Sequence, residues 1–81
     1  MIVEVLLFAS LKDAAHADRI SVSLSQDATV ADLLHAVSDQ HPALSRHLPH
    51  CRVAVNREYA RNDEPVQEGD EIALLPPVSG G

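Results

Sequence analysis

Eighty-one residues make one domain, too small to bury more than about 60–65% of its unfolded surface. Twelve acids against six bases, a formal net charge of −6, disfavour nucleic acid and anionic membrane, which both reward Lys and Arg, and favour a partner with a basic surface. A single Cys excludes an intramolecular disulfide, and no apolar run approaches the roughly 20 residues of a membrane span.

The opening, Met1-Ile2-Val3-Glu4-Val5, carries an acid where a signal peptide has basic residues, so the expected setting is cytoplasmic. Residues 2–8 alternate as a strand. Val3, Val5 and Leu7 share the inner face; Ile2, Glu4, Leu6 and Phe8 share the outer one. Ser10 is the expected cap of a short helical turn, with Asp13 as its capping-box partner, and the turn fades at His16-Ala17-Asp18. Residues 20–24 form a second strand, with Ile20, Val22 and Leu24 inward, in a hairpin with the first.

Thr29 is the expected N-cap of a helix over 30–40, with Asp32 favouring its N-terminus. Val30, Leu33, Leu34 and Val37 recur at helical spacing as one apolar stripe. Pro42 ends the helix at His41 or just before. Residues 42–50 read as irregular, with one helical turn over 43–47. Arg52-Val53-Ala54-Val55 is a third strand, followed by a turn at Asn56 and a short segment, Glu58-Tyr59-Ala60. Val66 plugs the core, and Glu68-Gly69-Asp70 turns into a last strand with Ile72 and Leu74 inward and Leu75 outward.

The order strand, strand, helix, strand, short strand, strand fits an α+β mixed sheet with the helix packed across one face. That is the β-grasp arrangement of ubiquitin, and it makes the first and last strands parallel neighbours. Phe8 and Leu75 then end at one edge of the sheet, with Leu6 and Tyr59 as further members of an exposed apolar docking patch. The domain covers 1–75, and an extended tail covers 76–81.

The tail, Pro76-Pro77-Val78-Ser79-Gly80-Gly81, leaves from that same edge. Proline cannot donate to a sheet ladder, so pairing should stop near Leu75. The six tail residues reach about 20 Å when extended. Two residues without side chains let the tail enter a narrow channel and present a carboxylate there. The bland alternative is a frayed end. The five His and Cys51 match no metal-site spacing, and no nucleophile has a defined base, so the chain shows no active site of its own.

On Leu7-Phe8-Ala9-Ser10-Leu11-Lys12-Asp13, Val53-Ala54-Val55-Asn56, Gly69-Asp70-Glu71-Ile72-Ala73 and above all the final hexapeptide, the chain resembles the sulfur carrier subunits of molybdopterin synthase along its whole length. The resemblance implies that Gly81 is adenylated on a separate ATP-using activating enzyme. It is then thiocarboxylated with sulfur from a donor protein. Pro76, Pro77, Val78, Ser79 and Gly80 would carry it into the large subunit of a heterotetramer. There the sulfur would build the molybdopterin dithiolene on cyclic pyranopterin monophosphate. Phe8, Lys12, Tyr59 and Leu75 match partner-facing positions, though a smaller aliphatic residue is common where Tyr59 stands. The resemblance implies no bound cofactor or metal and places the catalytic residues on the large subunit. Two rivals remain: a carrier for another pathway, of the thiamine thiazole type, and a ubiquitin-like module whose tail is never activated.

Overall fold

The computed structural model describes residues 1–77. Strands β1 (Ile2–Leu7), β2 (Arg19–Ser23), β3 (Arg52–Val55), β4 (Glu58–Tyr59) and β5 (Ile72–Leu75) form one sheet in the order β2-β1-β5-β3-β4. β1 lies antiparallel to β2, with Val3 opposite Val22 and Val5 opposite Ile20. It lies parallel to β5, with Val5 opposite Ile72 and Leu7 opposite Leu74. β3 closes on β5 antiparallel, with Val53 opposite Leu74. Period-two alternation thus puts Val3, Val5, Leu7, Ile20, Val22, Val53, Ile72 and Leu74 on one face, all buried. Sheet pairing stops at Leu75, immediately before the two prolines.

Helix α2 (Val30–Gln40) covers that face. Thr29 and Asp32 form a reciprocal capping box: the Asp32 N–H donates to Thr29 Oγ1 at 3.3 Å, and the Thr29 N–H donates to Asp32 Oδ2 at 2.9 Å. Val30, Leu33 and Val37 are fully buried, while Leu34 is only partly so. The helix stops at His41, as Pro42 requires. Its last residue, Gln40, bonds both backbone groups of Ser23, at 2.9 and 3.0 Å, and so covers the outer edge of β2.

Three expectations need correction. Ser10 does not cap α1 (Ser10–Ala15). Ala9, at φ 51°, holds the cap position and Ser10 is already helical, because the chain turns sharply one residue earlier, on leaving β1. What holds this six-residue helix is Leu11, fully buried and absent from the expected core. Residues 42–50 are not irregular. Pro42–His50 is a 3-10 helix with Pro at its start, where the missing N–H costs nothing, and it buries Leu44 and Leu48 against the core.

Leu33 is fully enclosed between helix and sheet, so Leu33→Ala should lower the unfolding free energy by roughly 2–5 kcal/mol. Urea denaturation checks this; a loss below about 1 kcal/mol would mean the helix–sheet core is loosely packed.

Candidate functional site

With α2 on one face, the other face of the sheet is left open. Register builds a continuous row across it: Arg19 opposite Leu6, Leu6 opposite Ala73, Ala73 opposite Ala54, and Ala54 opposite Tyr59. One row further along, Leu75 stands opposite Arg52. Phe8 follows β1 at the same end and is 45% exposed; Tyr59 is 61% exposed. Side chains this apolar stay exposed here because the one long helix is committed to the opposite face.

The site residues read from the sequence fall into two neighbouring grooves. Leu6, Phe8 and Lys12 line one of them, beside Asp18 and Arg19, which were not among the expected residues. Tyr59 and Leu75 line the other with Arg52, His50, Pro76 and Pro77, so the tail root is part of its wall. The Leu6–Ala73–Ala54 row joins the two. Pro76 is half-buried and Pro77 exposed. The tail readings for Val78, Ser79, Gly80 and Gly81 lie outside the described residues.

A two-residue turn positions Tyr59. Asn56 and Arg57 both have positive φ, 54° and 71°, as a type I′ hairpin turn demands. A side chain at φ 71° is strained, and Asn56 offsets this by accepting from the Glu71 N–H at 3.0 Å and donating to Asp70 at 3.1 Å. Tyr59 then lies under Arg52, whose guanidinium carbon is 3.9 Å from the ring centroid. Arg52 was absent from the expected site. Its outward parity was legible; its register opposite Leu75 was not, because that depends on which strand β3 joins.

The bases cluster on this face, with Glu4, Asp18 and Glu71 beside them. Lys12, Arg19, Arg52 and Arg57, four of the six bases, line its grooves. Arg19 is paired with Glu4 at 3.3 Å and Arg57 with Glu71 at 3.4 Å, both in solvent. Lys12 and Arg52 form no ion pair among the described residues.

The described residues offer binding chemistry. Among them no group of three or more His, Cys, Asp or Glu is placed to hold a metal ion. The Cys51 thiol donates to the His47 carbonyl oxygen at 3.0 Å. Among the described residues the only side-chain hydroxyl bonded to an acid is that of Thr29, in the helix cap, and Ser38 meets Ser45 at 2.8 Å. No helix among the described residues is long and apolar enough to cross a membrane.

Residues 5–81 match the ThiS family. The molybdopterin synthase sulfur carrier subunit of Chlamydomonas reinhardtii is 37% identical over 83 residues, spanning all of both chains. Small archaeal modifier protein 1 of Haloferax volcanii is 41% identical over 83 residues, covering 93% of this chain and 95% of that one. Its crystal structure superposes with a TM-score of 0.87 over the whole of both chains. The complex of subunits 1 and 2 of molybdopterin-converting factor from Helicobacter pylori contains a chain that is 29% identical, with a TM-score of 0.69 and full coverage of both.

Partial burial raises the Cys51 thiol pKa, so less of it is thiolate at mildly alkaline pH. Iodoacetamide should therefore label the native protein more slowly than the urea-unfolded chain. Equal rates, followed by mass, would place Cys51 in open solvent.

Proposed function

The chain belongs to the ThiS family, and we propose from that premise that it is a sulfur carrier, the small subunit of a cytoplasmic molybdopterin synthase. One observation carries this reading. A chain matched end to end by a sulfur carrier subunit leaves the open face of its sheet apolar at the point where the tail departs. The H. pylori complex of subunits 1 and 2 supports a second subunit as the partner.

In the proposed cycle the Gly81 carboxylate, a poor acyl donor, attacks the α-phosphate of ATP on a separate activating enzyme. Pyrophosphate leaves and an acyl-adenylate forms. Sulfide-level sulfur delivered by a donor protein attacks the acyl carbon, the bond to AMP breaks, and a C-terminal thiocarboxylate remains. The large subunit receives the tail, supplies the acid–base groups, and directs the sulfur to cyclic pyranopterin monophosphate. This chain contributes recognition and reach. Phe8, Tyr59 and Leu75 give apolar docking surface and Lys12 a cation beside it. Pro76 and Pro77 restrict the tail before it docks, which lowers the entropy lost on insertion. Gly80 and Gly81 pass where a Cβ would meet the channel wall.

A second reading, that the chain modifies other proteins, is favoured by its 41% identity to small archaeal modifier protein 1. It requires covalent adducts heavier than the 8.7 kDa chain when the protein, its activating enzyme and ATP are added to lysate.

Appending one residue after Gly81 should abolish sulfur transfer while leaving the denaturation midpoint unchanged, because the last buried core residue is Leu74, seven positions earlier in the sequence. The readout is molybdopterin formed by the reconstituted two-subunit synthase. An extended protein that still transfers sulfur would remove Gly81 from the reaction.

A further inference from the structure

We propose that Arg52, poised over the Tyr59 ring at the tail root, is a specificity-determining residue that pairs with a carboxylate of the large subunit. The proposal rests on the reading of the chain as a carrier that docks to that subunit. It goes beyond apolar docking by assigning a charged contact and the chemistry of the group that meets it.

Three observations converge on Arg52. Its position is fixed, since pairing of β3 with β5 sets it opposite Leu75, the last residue before the tail. Its head group is held: the guanidinium carbon lies 3.9 Å from the Tyr59 centroid, an attraction that keeps an otherwise floppy side chain near one place. Its donors are unspent. Among the described residues no acid pairs with it, and its side chain makes no hydrogen bond, whereas Arg19, Arg57 and Arg61 each bond an acid of this chain. In a chain with twice as many acids as bases, a guanidinium kept free of local acids beside an apolar groove has its N–H groups available to a partner. A planar fork of N–H donors fits a carboxylate bidentately.

Distance separates a protein carboxylate from the other anions of the cycle. Adenylate and pterin phosphate meet the chain at Gly81, six residues past Leu75, and an extended tail of that length reaches about 20 Å. Arg52 stays at the root, which a docked protein surface meets before the tail's far end does. The partner it fits has an apolar centre to receive Leu75 and Tyr59, with an Asp or Glu at the rim facing Arg52.

The test is the affinity of the full chain for the large subunit, measured by titration calorimetry at low and high salt, with Arg52→Gln, Arg52→Lys, Arg52→Glu and Tyr59→Leu. At low salt Arg52→Gln should weaken binding roughly tenfold, Arg52→Glu more, and Arg52→Lys less because the charge survives without the fork. Tyr59→Leu should lose less than Arg52→Gln. High salt should narrow the gap between Arg52→Gln and wild type. Arg52 is exposed, so the thermal midpoints should not move. Wild-type affinity in Arg52→Glu at low salt overturns the proposal, as does an Arg52→Gln loss that salt leaves unchanged. Wild-type protein that fails to bind the large subunit overturns the carrier reading as well, so the two failures are distinct.

Discussion

The parallel pairing of β1 with β5 is the contact on which the rest of this structure depends. It joins the two ends of the domain, and through it Val5 meets Ile72 and Leu7 meets Leu74 in the middle of the core. Parallel pairs cannot be closed by a tight turn, so everything between the two strands acts as the crossover. That crossover includes α2, which seals the inner face, and β3, which adds to the far edge of β5. The same pairing fixes where the tail starts. Leu75 leaves the sheet beside the end of β1, near Phe8, so the exposed apolar surface and the tail root are consequences of one register.

Economy of size explains the open face. A chain of 81 residues has one long helix, and covering the inner face uses it completely. The outer row of Leu6, Ala73, Ala54 and Tyr59 is left for another molecule or for water. Polar partners along its rim keep this exposed surface soluble: Glu4 with Arg19 on one side, Glu71 with Arg57 on the other. Exposed pairs of this kind contribute little to stability, typically under about 1 kcal/mol. Arg52 differs because, among the described residues, Tyr59 and no acid holds it.

Much of the fold was legible because its signals are local and agree. Alternation fixed the faces of β1, β2 and β5. Thr29, Asp32 and Pro42 bounded α2, and Val66 was recognisable as a core residue from its place between polar loops. What escaped reading was set by tertiary contact. Leu11 sits in a helix too short to show a period. Leu44 and Leu48 lie in a 3-10 segment interrupted by Pro49, where helical spacing gives no warning of burial. Phe8 and Leu75 were placed by parity and topology together. Arg52 and Arg57 needed the register of β3 and the positive-φ turn after it, neither of which a propensity reveals. Net charge pointed to a basic partner, yet the bases gather on the outer face, because a sum over the chain carries no positions.

The proposed function turns on one chemical group, the carboxylate of Gly81. The most direct test is the intact mass of the purified protein after incubation with its activating enzyme, ATP and a sulfur source. The account predicts a mass gain equal to the exchange of one C-terminal oxygen for sulfur. An unchanged mass, with the same enzyme shown to thiocarboxylate another carrier, would contradict it and leave a ubiquitin-like docking module without a cargo.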